Sequence, residues 1–579
     1  MSDTNTATDT ATDTNAVTPS SRRFAAWEIV TALVVAAWTL VIAAVRFGPG
    51  FGRWRAETDA KQVTHQFYAW FDKGTFPPGE LLEQYADIYN APPLYKVLMA
   101  SLSTFIDPKD AAVGLSAVLF LATVAVIFAI GCRRGGTLVG ASAAVLYAHA
   151  EGVFLSTVGG HPRSFAPLFF ALFLWSVVEK RRGFMVVLLI IEGGIYPSPL
   201  LACGPAAAVL VALDLWRDRR VKPVAAFLVA SVLALGLAKA QDLRAPTSWG
   251  RIISYDEAVN HPAWQRGSRF PYVPLPSFWK HPEEAIDRLV APVGTPLVAG
   301  VSGDTLVWIW GGLLAVGVVG MARRRRFDVG PELLLLSATL LAHLLARHLA
   351  FQLHIPHRAV AHGWPVILAT LVPVATWAGV RQVLSGWKAG LVAAALTAAP
   401  LLVVAGHGVK PPNSWRDYGR DADLYVWLQT KTPKDAIFAG NYQIMDEVPL
   451  FGRRRVYQNW KLAHPYRLGY FDLVTERTKK MYAAYYARDV ADVVRFADET
   501  GVDYLVVDRS RFRTFERGDG QLFEPLRSLI EPMFTACTSG GCALDPPPAP
   551  AVVFTSKRYQ VVSMEKLRQL TTPTPTPTP

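Results

Sequence analysis

Long apolar runs constrain this chain more than any other feature of its sequence. A run of about 20 apolar residues is long enough to cross the hydrocarbon core of a bilayer as a helix. Length and hydropathy predict about eleven such segments, near residues 24–47, 111–132, 137–153, 163–178, 184–197, 199–216, 223–240, 304–322, 331–352, 358–380 and 389–408. Only 18% of the 579 residues are charged, whereas a soluble protein carries about a quarter. The sequence therefore predicts a polytopic α-helical membrane protein.

Basic residues between the predicted spans indicate how the chain is oriented. The clusters are Arg22/Arg23, Arg133/Arg134, Lys180/Arg181/Arg182, Arg217/Arg219/Arg220/Lys222, Arg323 to Arg326, and Arg381 with Lys388. Short cytoplasmic loops carry an excess of Lys and Arg. With eleven spans and a cytoplasmic N-terminus, every cluster falls on the cytoplasmic side, and one added or missed span would move the later clusters outside. We predict a multi-pass protein of the cytoplasmic (inner) membrane, with its C-terminal part extracytoplasmic.

The spans and the composition between them predict the domain organisation. The predicted parts are a disordered cytoplasmic tail (1–23), a transmembrane domain (24–408) with outer loops at 48–110 and 241–303, an extracytoplasmic α/β domain (409–565) and a low-complexity tail (566–579). The α/β prediction rests on short apolar runs, which read as strands, with helical patterns between them. These runs are "AIFAGN" (436–441), "RRVYQ" (454–458), "DYLVVD" (503–508), "AVVF" (551–554) and "YQVV" (559–562).

Several functions are disfavoured by the sequence. The net charge of +12 is spread over clusters between spans, which argues against nucleic acid as a partner. The chain has no GxGxxG or P-loop pattern, and no ligand spacing such as HExxH, so we expect neither a nucleotide cofactor nor a metal. Cys537 and Cys542, in "CTSGGC", could close a small loop in an oxidising compartment.

An acid pair, Glu57 and Asp59, follows the first predicted span. Spacing of two residues puts both side chains on one side of an extended segment. The alternative interpretation is a solvated loop in which the two acids have no functional role. Against it, an acid held close to the bilayer has a perturbed pKa, which suits a general base. The loop then continues with the aromatic segment "QFYAWFDKGTFPPG" (66–79) and with "APPLYK" (91–96).

This arrangement resembles the first outer loop of the GT-C glycosyltransferases, among them the protein O-mannosyltransferases and the lipid A aminoarabinose transferases. The resemblance implies transfer of a sugar, a hexose or a pentose, from a polyprenyl-phosphate carrier to a lipid, glycan or protein acceptor on the outer face. It also implies that Asp59 is the base and Glu57 its partner. Members of that superfamily often have adjacent acids, whereas this chain has Glu-Thr-Asp, so which acid is catalytic stays open.

Displacing a phosphate from a sugar also needs cations for the departing group. Candidates on the predicted outer side are Lys96, Arg163, Arg347 with His348, and Arg358; Arg matches phosphate geometry best. The alternative for each is a side chain that reaches the membrane interface. Tyr95, His161 and Glu192 are further candidates, the last because it lies inside a predicted span. Glu192 and Arg347 could instead pair structurally.

Two other classes of function remain open at this point. A transporter or lipid flippase would typically show inverted repeats and paired broken helices, and the sequence shows no such symmetry. A non-catalytic envelope protein would use its C-terminal domain to bind a partner. Among enzymes, an oligosaccharyltransferase is possible, but the C-terminal region lacks a WWD-type motif.

Overall fold

The structure is a computed structural model that describes residues 25–219, 221–290, 303–323, 329–353, 355, 357–405, 414–515 and 522–571. Some of the predicted features lie outside the described residues. They are the N-terminal tail with Arg22/Arg23, Arg220, the arginines at 324–326, the end of the outer loop at 291–302, the junction at 406–413 and residues 572–579 of the C-terminal tail.

Helices occupy the apolar segments that the sequence predicts. The longer helices up to residue 405 are α1 (Ala26–Phe47), α2 (Pro93–Ser103), α3 (Pro108–Gly135), α4 (Thr137–His149), α5 (Glu151–Thr157), α6 (Ala166–Val178), α7 (Arg182–Ile195), α8 (Leu200–Asp218), α9 (Lys222–Arg244), α10 (Lys280–Val290), α11 (Gly303–Arg323), α12 (Gly330–His348), α13 (Arg358–Val380) and α14 (Gly386–Ala405). Ten of the eleven predicted spans each overlap one of these helices, and the span predicted at 137–153 overlaps two.

Six of the described helices are long and apolar enough to cross a membrane. They are Ala26–Phe51, Pro108–Gly135, Leu200–Asp218, Lys222–Arg244, Asp304–Ala322 and Arg358–Val380. The chain is therefore an integral membrane protein, while the count of eleven spans stays a prediction. The span predicted at 137–153 is two helices, because Ala150 has extended backbone angles (φ −70°, ψ 120°) that end α4 and start α5.

Helix α13 lies at the centre of the membrane part. In its most apolar window 78% of the residues are buried inside the protein, compared with 11% for α9. It packs against α3, α4, α6, α10, α11, α12 and α14. Because α13 begins at Arg358, this central packing fixes the position of that arginine, one of the predicted site residues.

The first outer loop folds into short pieces. One-turn helices span Ala60–Val63, Tyr68–Phe71 and Leu81–Tyr85, before α2. The aromatic segment contributes buried Phe67 and Tyr68, while the side chains of Trp70 and Phe71 are exposed. Strand β1 (Arg55–Ala56) pairs antiparallel with β2 (Arg416–Asp417), Arg55 opposite Asp417. The loop that carries the acid pair is thus joined to the C-terminal part of the chain.

The C-terminal part contains a five-stranded mixed sheet with helices beside it. Its strands are β3 (Ile437–Gly440), β4 (Arg455–Val456), β5 (Tyr504–Asp508), β6 (Val552–Thr555) and β7 (Tyr559–Ser563), in the order β4-β3-β5-β7-β6. The helices are α15 (Ala422–Lys431), α16 (Leu468–Tyr485), α17 (Val490–Thr500), α18 (Leu526–Gly540) and α19 (Met564–Thr571). Strand β3 is parallel to β4 and β5, and β7 is antiparallel to β5 and β6. All five predicted strands are present, and Cys537 and Cys542 form a disulfide.

Candidate active site

The Glu-Thr-Asp segment forms a compact turn at the end of β1. The Glu57 carboxylate accepts hydrogen bonds from the Thr58 hydroxyl group (3.0 Å) and from the Asp59 backbone N–H (2.7 Å). Asp59 immediately precedes the one-turn helix Ala60–Val63. The turn points both carboxylates toward the same neighbours, although Asp59 has helical and not extended backbone angles (φ −84°, ψ −12°). Glu57 is 7% exposed, so the pair is not a solvated loop.

A turn of sequence "GGHPR" (159–163) faces the acid pair. Gly159 and Gly160 have φ angles of +91° and +60°, which favour glycine. A Cβ atom on Gly159 would lie 2.3 Å from His161 Nε2, and one on Gly160 would lie 2.3 Å from the carbonyl oxygen of Ala112. The hydroxyl group of Tyr95 donates to the carbonyl oxygen of Gly160 (2.9 Å). These contacts fix the backbone that carries His161 and Arg163.

Each acid has its own basic partner in this turn. His161 Nε2 lies 2.9 Å from Glu57 Oε2. Arg163 Nη1 donates to Asp59 Oδ2 (2.6 Å), and Arg163 Nη2 lies 3.8 Å from Glu57 Oε1. The structure thus brings together four of the predicted site residues, Glu57, Asp59, His161 and Arg163, with the predicted Tyr95 behind them.

Asp59 has a second cationic partner that the sequence did not predict. Lys461 Nζ donates to Asp59 Oδ1 (3.0 Å), so both oxygens of Asp59 contact a cation. Burial raises the pKa of Asp59, but the charges of Arg163 and Lys461 oppose burial, and this pKa is held well below its usual range. A carboxylate with so low a pKa has little affinity for a proton, which disfavours it as a general base.

The loop after β4 places Lys461 beside the acid pair. Its backbone N–H donates to Asp446 Oδ1 (2.9 Å), and Asn459 Oδ1 accepts from the N–H of Leu462 (3.1 Å). Burial raises the pKa of Asp446, against the opposing charges of Lys61 and Lys461. No local pattern in "QNWKLAHP" (458–465) marks Lys461 as a site residue, because its role depends on contact with a loop 402 positions away.

Cations from several elements lie near Arg163. Arg358 Nη1 donates to the hydroxyl group of Tyr196 (2.8 Å), and that hydroxyl group lies within the electrostatic reach of Arg163. Helix α10 adds Arg288, whose pKa is lowered by burial and also by the nearby charge of Arg163. Burial, followed by the effects of His281, Arg358 and Arg288, lowers the pKa of His357 to about 2.

Helix α10 reaches this cluster because Gly152 of α5 has no side chain and leaves room for Arg288. The space beside Gly152 is filled by Arg288, whose Cβ would lie 2.2 Å from a Cβ on that glycine. The sequence analysis missed Arg288 and His357. The signal that could have found Arg288 is the amphipathic segment "KHPEEAIDRLV" (280–290), which is charged on one face and apolar on the other.

The other predicted residues are not joined to the acid pair by contacts among the described residues. Lys96 forms an ion pair with Asp87, which also pairs with Arg244. Arg347 lies in the last turn of α12, next to exposed His348. Glu192 is fully buried in α7 beside Cys203, and no ion pair between Glu192 and Arg347 occurs in the described ranges.

The charged side chains of the site pair with one another. Within the described residues, no group of three or more His, Cys, Asp and Glu side chains is placed to hold a metal ion. The acids are instead matched with Arg, Lys and His. Arg163 contacts both carboxylates, and Arg288 lies close to it.

Comparison with known proteins adds a match in the C-terminal part. Residues 412–524 match the family model "Dpy19: Q-cell neuroblast polarisation". The chain is 32% identical over 83 residues to the C-mannosyltransferase dpy-19 of Caenorhabditis elegans. That match covers 14% of this chain and only 11% of the relative. The resemblance to membrane glycosyltransferases, predicted from the first loop, is confirmed by a separate part of the chain.

Solved structures of membrane glycosyltransferases are among the similar structures, at TM-scores under 0.5. The ArnT structure from Cupriavidus metallidurans bound to undecaprenyl phosphate has a TM-score of 0.48 and 16% identity, over 93% of this chain and 98% of that one. The oligosaccharyltransferase AglB from Archaeoglobus fulgidus, in complex with an inhibitory peptide and a dolichol-phosphate, has a TM-score of 0.46 and 11% identity, over 84% of this chain and 70% of that one.

Proposed function

We propose that this integral membrane protein is a glycosyltransferase of the GT-C type. It transfers a sugar from a polyprenyl-phosphate-linked donor to an acceptor on the outer face of the membrane. The observation that carries the proposal is the meeting of the Glu57 and Asp59 carboxylates with Arg163 and Lys461 beside a second group of cations. Such a site has cations for the phosphate of the donor and carboxylates for the acceptor.

The cationic cluster suits the phosphate of the donor. When the bond between the anomeric carbon and the phosphate oxygen breaks, negative charge grows on the leaving phosphate. Arg358 and Arg288 supply guanidinium groups, which bind phosphate with two parallel hydrogen bonds. Arg163 is partly committed to Asp59, at 2.6 Å, and therefore couples the donor cations to the acids. Of the cations predicted from the sequence, Arg163 and Arg358 keep this proposed role.

The acidic side of the site suits the acceptor. An incoming nucleophile must lose a proton as it bonds to the anomeric carbon, and a positioned base accelerates that loss by roughly 100- to 10,000-fold. Glu57 and Asp59 are held by the first loop, while Lys461 comes from the C-terminal sheet. The acceptor site therefore involves both parts of the chain. A lipid, a glycan and a protein all remain acceptor classes to test.

The proposed orientation has the N-terminus in the cytoplasm and the site on the outer side. Disulfides persist in oxidising compartments, and the bond between Cys537 and Cys542 lies in the part of the chain that carries Lys461. This bond supports an extracytoplasmic position of the sheet and, through the contact between Lys461 and Asp59, of the site.

The test is a transfer assay on the purified full-length protein in lipid nanodiscs. Radiolabelled polyprenyl-phosphate hexoses and pentoses are the donors, and membrane lipids, glycans and peptides from the host are the acceptors. We expect one donor class to be consumed and its label to appear in one acceptor class. Arg163→Ala should lose this transfer, while Arg495→Ala, in an exposed ion pair with Asp492, should keep it. Wild-type protein that consumes no donor of either sugar class would refute the proposal.

A further inference from the structure

The acid pair leaves one question of mechanism, which is the group that receives the acceptor's proton. Both oxygens of Asp59 contact cations, Oδ2 with Arg163 and Oδ1 with Lys461. Each oxygen therefore already accepts from one cation, and a proton on Asp59 would weaken both ion pairs. The carboxylate of Glu57 accepts hydrogen bonds from Thr58 and Asp59 and contacts His161. Both carboxylates are therefore already engaged with neighbouring groups, which disfavours each of them alone as the proton acceptor.

We propose that His161 and Glu57 act together as the base, with His161 Nδ1 receiving the proton. His161 is 2% exposed, and its Nε2 contacts Glu57 Oε2 at 2.9 Å. Its Nδ1 has no hydrogen-bond partner in the described part of the chain. With the proton of the neutral ring on Nε2, donated to Glu57, the lone pair lies on Nδ1. A carboxylate that holds one nitrogen of a histidine in this way fixes the tautomer and stabilises the imidazolium that forms.

The step balances with the groups at the site. The acceptor atom forms a bond to the anomeric carbon while the bond from that carbon to the phosphate oxygen breaks. The electron pair of the broken bond leaves with the polyprenyl phosphate, and the acceptor's proton moves to His161 Nδ1. Glu57 then faces an imidazolium at 2.9 Å. In this scheme Asp59 holds Arg163 and Lys461 in place and takes no proton.

The turn that carries His161 is built to hold the ring in one orientation. Gly159 leaves no room for a Cβ beside His161 Nε2, and Tyr95 anchors the next carbonyl group. Charged groups around the ring are Glu57 and Asp59 of the first loop and Arg163 of its own turn, with Lys461 reaching Asp59 from the C-terminal sheet. The Nδ1 atoms of His65, His149, His357 and His362 are also buried without a partner among the described residues, so the feature that distinguishes His161 is the carboxylate of Glu57 on its other nitrogen.

The test separates the two nitrogens of the ring. In His161→Gln the side-chain amide can still donate to Glu57 from the position of Nε2, but the variant has no group at Nδ1. We expect this variant to lose about 100-fold or more in kcat, with binding of the radiolabelled donor unchanged. A pH profile of wild-type kcat/KM should fall on the acid side as the ring gains a proton, and His161→Gln should lack that limb. Near-normal turnover of His161→Gln with the limb intact would overturn the inference.

A second variant keeps the inference testable if His161→Gln does not fold. Glu57→Gln removes the negative charge beside the ring, so the imidazolium is less stable and the acid limb should move to lower pH while kcat falls. An acid limb at the wild-type position in Glu57→Gln would equally overturn the inference. The inference rests on the proposed function, and the two fail differently. Absence of transfer by wild-type protein refutes the function, while transfer with unchanged variants refutes only the proton acceptor.

Discussion

At the residue scale, two acids of the same loop have different surroundings. Glu57 is held by hydroxyl, amide and imidazole groups, while Asp59 lies between two cations. The sequence showed that these residues form a pair near the membrane and could also supply His161 and Arg163 as candidates. It could not show which acid meets which base, because His161 and Arg163 lie 104 positions from their acidic partners. The assignment of Asp59 as the base stays a prediction that its ion pairs disfavour.

Lys461→Met tests the electrostatic role of Asp59 through stability. The folded pKa of Asp59 is depressed, so its contribution is complete above the unfolded pKa of about 4 and is lost as pH falls toward the folded pKa. Removal of Lys461 raises the folded pKa toward the ordinary value. We expect a loss of about 1.5–3 kcal/mol at pH 7, which shrinks as pH falls below about 4. Thermal unfolding in detergent from pH 7 to pH 3 measures it.

The control for that experiment is Lys479→Met, which breaks an exposed ion pair with Glu476. Exposed pairs contribute about 0–1 kcal/mol, so this variant should unfold close to the wild-type temperature at every pH. A destabilisation by Lys461→Met that is the same at pH 7 and pH 3 would contradict the assigned charge on Asp59.

Arg358 provides the test of the proposed phosphate site. A charge-assisted hydrogen bond contributes about 1.5–3 kcal/mol, so Arg358→Ala should weaken binding of the polyprenyl-phosphate donor by about 10- to 100-fold. Arg358→Lys should restore binding only in part, because lysine lacks the planar fork. Donor titration of the purified variants gives both values, with Arg251→Ala in an exposed outer-loop ion pair as the control. Equal donor affinity in all three variants would show that Arg358 does not bind the phosphate and serves only as the hydrogen-bond donor to Tyr196.

At the scale of elements, the sequence located the helices and strands but not the contacts between distant ones. Apolar length located the helices, and short apolar runs located all five strands of the sheet. The break at Ala150 and the pairing of β1 with β2 were missed, because both depend on packing between distant segments. The glycines of "GGHPR" were present in the sequence, but their positive φ angles become interpretable only once His161 and Ala112 are seen beside them.

Gly159→Ala tests the turn against a glycine with the same backbone angle. Gly159 and Gly136 both have φ of +91°, but a Cβ meets His161 Nε2 at 2.3 Å in the first and nothing within 4 Å in the second. Both alanines strain the backbone by about 1–2 kcal/mol. We expect only Gly159→Ala to move the ring away from Glu57, with turnover reduced at least about tenfold, and Gly136→Ala to stay near wild type. Similar turnover in the two variants would show that the position of His161 is not critical.

At the scale of the whole molecule, the site depends on contact between the first loop and the C-terminal sheet. The first loop and the C-terminal sheet must therefore lie on the same side of the membrane, so one test of the predicted outer position decides both. Arg453 pairs with Asp107 and Lys461 with Asp59, so the two parts must lie on one side of the membrane. An odd number of spans after a cytoplasmic N-terminus puts them outside, and the disulfide between Cys537 and Cys542 is consistent with that side.

Cysteine labelling tests this topology in intact cells. Ser414→Cys, just before β2, should react with a membrane-impermeant maleimide, while Ser385→Cys, between α13 and α14, should react only after the membrane is opened. Cys132 and Cys203 are first replaced by alanine so that they do not react.

Ser385 is exposed and adjoins Arg381 and Lys388, so a lack of labelling from outside would reflect its side of the membrane rather than burial. Because α14 separates the two positions, the number of spans before it decides both outcomes. Labelling of both positions from outside would mean that α14 does not cross the membrane, and the reversed pattern would put the acid pair and its cations in the cytoplasm.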